Sequence, residues 1–448
     1  MKATPESENL RVQDSAAVAA GSSRVSESKS GRLRGRWLLA ITIGLALLIF
    51  ASRWPYVQGA LERKIANFDE ISLTSTTLGT LLGVPPRFLS WPASPQRFIL
   101  IQALVLDYLA QHGAAVDAES FVSYVGEACR SPWRALMILR VMTALAVSIG
   151  FSVLFPAIVR HTGSVAAGVV AVVILAAHPS LFPLSYWAMA DGLSLAAAAA
   201  AIACLLSRPA GTLLVVLAGL LTGLALASKV TITMAFPLIG LLLLSNARRP
   251  LKAVVLFTAT AVIVFLLSCP FVLTEPLRML KSLTGNLNTP GQSEGAVKVI
   301  QLLSRCLGIV GTLAVIAATV VALASPRRKW ALVIGTWASA AYGVVATMGA
   351  ARVCTKYYTP LLIIGVVFCT VILWPSVVAW LGRRGSKRPA FQVVGAIGLA
   401  ALLVVYVTHD HRFANPQRYR NLFEVADDLA AMPPSTRVIV SDMTSLLL

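Results

Sequence analysis

Apolar runs long enough to cross a bilayer recur along most of this chain, and that feature restricts its fold more than any other. A crossing helix needs roughly 17–25 consecutive apolar residues, and LSLAAAAAAIACLL (193–206) is the heart of one such run. Hydrocarbon offers no water to pair with backbone amides and carbonyls, so each run must satisfy its own hydrogen bonds as a helix. The strands of a membrane barrel alternate apolar and polar residues, and these runs do not. Charged residues are 13% of the chain, against about 25% in soluble domains, and the mean hydropathy is +0.77. The sequence therefore specifies an all-α polytopic membrane protein.

Eleven spans are expected, near 37–54, 135–159, 163–180, 188–206, 209–227, 231–246, 251–272, 299–324, 330–350, 357–380 and 389–407. Residues 1–36 are polar and end in Gly31-Arg32-Leu33-Arg34-Gly35-Arg36, the pattern of a disordered cytoplasmic tail. About 36 polar residues ahead of the first apolar run are unlike a cleavable signal peptide. The transmembrane domain covers 37–407, and 408–448 forms a short tail on the other side.

The net charge of +19 is distributed as short basic clusters between spans rather than as a nucleic-acid-binding patch. Alternate connections carry Arg160; Arg208; Arg248, Arg249 and Lys252; Arg327, Arg328 and Lys329; and Arg383, Arg384, Lys387 and Arg388. Cytoplasmic loops carry the Lys/Arg excess, which puts those connections inside. The long first loop (55–134) then lies outside, in a bacterial plasma membrane to judge from the basic, Ala-rich composition. Within that loop FILIQALVLDYLAQHG (98–113) is apolar but short, as expected of a helix lying in the interface. The six cysteines are scattered and none forms a CxxC pair, so neither a zinc site nor a disulfide framework is indicated.

The acids are few enough to follow one by one. Between 135 and 407 they are Asp191, Glu275 and Glu294, and of these Asp191 alone adjoins a span. An ionisable group at that depth is costly and marks a functional site by default. It also reads as a first-turn carboxylate complementing the helix dipole. Asp69 and Glu70 are adjacent in the long outer loop, where Asp69 also reads as the cap of a helix starting at Glu70. On the same face lie Lys229, Arg352 and Lys356, against the orientation bias. Snorkelling to headgroups explains such cations, and so does a bound phosphate. Arg140 and Arg305, nearer the interior of spans two and eight, suit the same role or a pairing with Asp191. No P-loop, no GxGxxG after a strand and no HExxH is present.

These residues resemble those of the polytopic GT-C glycosyltransferases, the superfamily of the protein O-mannosyltransferases and the aminoarabinose transferases. The similarity runs through about 37–375. Asp69-Glu70 is similar to the acidic pair of the first outer loop, and Pro86 with Trp91-Pro92 to the Pro-rich segment downstream. YWAMADGLSL is similar to the helix start carrying a second acid, here Asp191, and GLALASKV to the segment carrying the lysine, here Lys229. SCPFVLTEP and ARVCTKYYTPLL are similar to later stretches of the family. Met189-Ala190 stand where the family has a basic residue before its second acid, and Val230 where it has Tyr. The periplasmic C-terminal domain of larger members has no counterpart.

The resemblance implies a GT-C-like bundle of about 11 transmembrane helices whose long first periplasmic loop contains interfacial helices. It implies inverting transfer of a sugar from a polyprenyl-phosphate donor to a lipid, polysaccharide or protein acceptor. Asp69 is then the general base, with Glu70, the second catalytic acid, orienting or neutralising nearby charge. Lys229, Arg352 and Lys356 hold the donor phosphate, and Asp191 holds the sugar or acceptor. No nucleotide cofactor or nucleic acid is expected; dependence on a divalent cation stays open, and no metal ligands are assigned. A secondary transporter would instead place ionisable groups at mid-membrane between symmetric halves. An inactive bundle serving as a scaffold is the other alternative.

Overall fold

The computed structural model describes residues 35–58, 68–83, 94–113, 117–207, 209–277, 311–324, 330 and 359–383. Among them every regular element is a helix. Helix α1 is Gly35–Gln58. The first loop contributes α2 (Phe68–Leu81), α3 (Ser94–His112) and α4 (Ala118–Arg130). Then follow α5 (Trp133–Ser152), α6 (Leu154–Thr162), α7 (Val165–Ala177), α8 (Ala190–Leu206), α9 (Thr212–Ser228), α10 (Phe236–Asn246), α11 (Pro250–Ser268) and the single turn α12 (Phe271–Thr274). Later in the chain come α13 (Gly311–Leu323) and α14 (Thr359–Arg383). The expected spans at 330–350 and 389–407 lie outside the described residues, apart from Trp330, as do both tails.

Three of these segments, Gly35–Gln58, Trp133–Thr162 and Pro250–Ser268, are long and apolar enough to cross a membrane. The second is α5 and α6 in one course, interrupted at Val153. Pro156 explains the interruption: it has no N–H for the carbonyl one turn earlier, and its ring crowds that carbonyl. Shorter apolar helices fill the interior. Each of them ends where the sequence stops supporting a helix. Helix α6 terminates at Gly163, whose φ of 72° is left-handed, and Ser164 then caps α7 by accepting from the Ala167 amide at 3.3 Å. His178 closes α7, its Nδ1 accepting from the Ser180 amide.

Close approach of helices organises the bundle. The alanine run of α8 is buried along most of its length between α5 and α9. Gly219 and Gly223 of α9 face α11, where an added Cβ would meet the Phe257 carbonyl oxygen at 2.7 Å and the Ala261 carbonyl oxygen at 2.6 Å. Without a hydrophobic effect between helices in lipid, such small-residue contacts supply the packing energy. Leu238, Leu242, Ile363, Ile364, Val367 and Phe368 from α10 and α14 complete the same core.

From the joint course of α5 and α6 through α11, successive helices alternate in direction. The C-terminus of α8, the start of α9 and the end of α10 meet at one end, where Asn246 Nδ2 donates to the Leu205 carbonyl at 2.8 Å and the Ala210 amide donates to the Asn246 carbonyl at 3.0 Å. The N-terminus of α8 and the C-termini of α1, α9 and α11 meet at the other end, beneath the first-loop helices. Helix α3 lies there as an amphipathic element, with Leu100, Leu104 and Tyr108 buried and Phe98 and Leu106 exposed. Leu100 and Leu104 pack with Leu73 and Leu78 of α2, Leu139 of α5, and Ala188 and Ala190 before and within α8.

Gly223→Ala therefore costs about 1–3 kcal/mol of stability, the usual penalty for overpacking. Gly240→Ala in α10, where nothing lies within 4 Å of the new Cβ, leaves stability unchanged. Thermal unfolding of the two variants in detergent checks this; equal melting temperatures would contradict the α9–α11 contact.

Candidate functional site

Several segments bring charge to the end of the bundle beneath the first loop. Helix α2 begins at Phe68, so Asp69 and Glu70 both fall in its first turn and Asp69 is not the cap of a helix starting after it. The placement of the Asp69 side chain lies outside what is described. Glu70 is fully buried. Its carboxylate accepts from Arg140 Nε at 3.0 Å through Oε1 and from Arg140 Nη2 at 2.7 Å through Oε2. Oε1 also accepts from the Ala188 amide at 2.7 Å. Arg140 Nη1 donates to the Tyr56 carbonyl at 3.2 Å. One carboxylate thus ties α2 to α5 and to the segment leading into α8, and its guanidinium partner adds the end of α1. The fork geometry of arginine suits such a bidentate pair.

The second pair is Asp191 with Lys229. Lys229 Nζ lies 2.5 Å from Oδ1 and 2.6 Å from Oδ2, and both residues are buried. Asp191 sits in the first turn of α8, where the helix dipole favours a negative charge. Lys229 stands where α9 ends: its backbone is extended, and a 3₁₀ turn, Val230–Ala235, follows. The run of β-branched residues Val230, Thr231, Ile232 and Thr233, followed by Pro237, resists continuing α9 into α10. That break lets the lysine turn back to Asp191. Arg140 thus pairs with Glu70, and Asp191 with Lys229.

Two residues that the sequence reading did not single out complete this end. Arg53, near the end of α1, is buried and donates through Nε to Ser185 Oγ at 2.8 Å, through Nη1 to Ser52 Oγ at 2.5 Å, and through Nη2 to the Ala176 carbonyl. Its guanidinium lies 4.4 Å from the centre of the Phe182 ring. The cation thereby meets the last carbonyls of α7, where positive charge is favoured, and fixes the turn before α8. Tyr56 stacks on Tyr186 at 5.0 Å beside it. Burial pushes the Tyr186 phenol up to about 12, so it stays neutral. The available signal was a cation at the outer end of span one, against the orientation bias. Gln96, in the first turn of α3, is the other: its Nε2 donates to the Ala190 carbonyl at 3.1 Å.

Arg352, Lys356 and Arg305 lie outside the described residues. Glu275 is exposed, just beyond α12. Among the described residues no group of three His, Cys, Asp or Glu is placed to hold a metal ion.

Helices alternating across the membrane, roofed at one end by the helices of a long first loop, make this a GT-C-like fold. The crystal structure of ArnT from Cupriavidus metallidurans bound to undecaprenyl phosphate matches it with a TM-score of 0.51 at 12% identity, over 83% of this chain and 70% of that one. At that identity the likeness is one of fold. No protein-family model matches the chain, and no curated protein matches its sequence.

Removing one partner of a buried pair strands the other charge, a loss of about 3–5 kcal/mol. Arg140→Met is expected to destabilise by that order, and the double variant Glu70→Gln/Arg140→Met to recover part of it. Melting temperatures in detergent test this; a single variant as stable as the native chain would contradict the pairing.

Proposed function

We propose that this chain is an integral-membrane glycosyltransferase that moves a sugar from a polyprenyl-phosphate donor to an acceptor hydroxyl at the outer face of a bacterial plasma membrane. The observation that carries the reading is the anchoring of Glu70. Its bonds to Arg140 and the Ala188 amide hold the first turn of α2, which includes Asp69, against the bundle end where Asp191 and Lys229 meet. The GT-C-like fold supports the same chemistry, because ArnT, the matching structure, was crystallised with undecaprenyl phosphate.

The roles follow from what each group can do. Asp69 is the general base, taking the acceptor's proton as its oxygen attacks the anomeric carbon with inversion; such help contributes about 10²–10⁴-fold. Glu70, saturated with hydrogen-bond donors, acts through Asp69 by holding its helix turn. Breaking the sugar–phosphate bond leaves charge on the phosphate, which preorganised cations stabilise. Lys229, Arg352 and Lys356 are assigned there. Asp191 orients the sugar or acceptor and pairs with Lys229. Basic residues at the opposite end of the bundle, such as Arg248, Arg249 and Lys252, support a site on the outside.

Asp69→Asn is expected to lower transfer by about 10²–10⁴-fold without lowering the melting temperature. The assay follows labelled sugar from a panel of polyprenyl-phosphate donors supplied to the outside of right-side-out vesicles. Equal rates for native and variant protein would remove Asp69 from the mechanism. Transfer only in inside-out vesicles would reverse the orientation.

A further inference from the structure

Gln96 has an acceptor that nothing among the described residues uses. The residue is 2% exposed, and its carboxamide is oriented by one contact: Nε2 donates to the Ala190 carbonyl, the residue before Asp191. A carbonyl can only accept, so the amide nitrogen must face it and the oxygen must point the other way. That oxygen, Oε1, is sealed from solvent and has no hydrogen-bond partner. A buried acceptor left unpaired bears its full desolvation penalty, and native proteins leave few such groups without a reason.

The surroundings of this amide supply the reason. The first turn of α3 rests where three helix ends converge. Gln96 touches the start of α8. Arg97, the next residue, is held below its usual value by burial, and α3 also packs against α9. Cys269 Sγ, at the end of α11, donates to the Ala227 carbonyl, two residues before Lys229. The turn thus covers the neighbourhood of the Asp191–Lys229 pair, which is itself buried.

We propose that Gln96 is a sugar-binding residue: with the lipid-linked donor seated, the first turn of α3 shifts and Oε1 accepts a hydrogen bond from a hydroxyl or amine of the sugar beside Asp191. The assignment rests on the sugar-transfer reading and adds to it the group that discriminates among sugars. A site built to pair with a substrate hydroxyl rejects the analogue lacking it, because its own buried group is then left unpaired.

Gln96→Met keeps the size of the side chain; it removes the unused acceptor together with the Nε2 bond to the Ala190 carbonyl, and the desolvation penalty relieved at Oε1 outweighs the bond lost. Kinetics with polyprenyl-phosphate mannose and glucose, together with binding of bare polyprenyl phosphate, test the proposal on purified protein. The variant is expected to melt no lower than the native chain. Its KM for the sugar donor is expected to rise about tenfold, with kcat within about threefold and affinity for bare polyprenyl phosphate unchanged. A set of monodeoxy donors on the native protein tests the same contact without any substitution. One of them should show the tenfold rise in KM, and that donor should be indifferent to Gln96→Met. An active native protein whose KM is unmoved by Gln96→Met and by every monodeoxy donor overturns the assignment of Gln96 alone. A native protein inactive with both donors overturns the sugar-transfer reading and this assignment with it.

Discussion

The Glu70 carboxylate is the interaction on which this end of the molecule depends. It is fully buried, and it is affordable there only because a bidentate guanidinium and a backbone amide answer it. Its partners come from three places: α5, the segment before α8, and, through Arg140, the end of α1. A loop helix is thereby fixed in position and rotation. Directional bonds of this kind set a geometry that burial, being non-directional, cannot.

The second pair works on the same principle with the opposite emphasis. Asp191 gains from the start of α8, and Lys229 reaches it because α9 ends early. Small residues make that reach possible. The alanines of α8 bring it close to α9, and the glycines of α9 bring that helix close to α11, so the Asp191 and Lys229 side chains can meet beneath the loop helices. Packing in the apolar layer and electrostatics at its edge are therefore one design: shifting α9 by a residue would both lose the glycine contacts and separate the charges.

Much of this was legible in the sequence, for reasons that differ between parts. Helices were legible at the apolar runs because hydrocarbon enforces them, as at 37–54 against Gly35–Gln58; among the described residues three segments are long enough to cross, and the runs between 163 and 246 hold shorter helices. The break in the second span was not foreseen; it turns on Pro156, whose effect on one carbonyl leaves hydropathy unchanged. Asp191 and Lys229 stood out as charges beside apolar runs, but their mutual pairing did not, since it depends on how α8 and α9 pack. Arg140 was visible as an interior arginine while its partner was not, because Glu70 approaches from a loop 70 residues earlier in the chain. Gln96 carried no signal at all: a glutamine in an amphipathic helix looks solvated until the neighbouring helix ends are in place.

The central claim is that the bundle end holding Glu70, Asp191 and Lys229 receives a lipid phosphate. Photo-crosslinking measures this directly, using a polyprenyl phosphate with a diazirine on the isoprene nearest the phosphate and peptide mapping of the adducts. The account predicts adducts in the first turn of α3 and at the junction of α9 with the 3₁₀ turn after Lys229, competed by unlabelled polyprenyl phosphate. Adducts confined to the opposite end, around Asn246 and the start of α9, would contradict it.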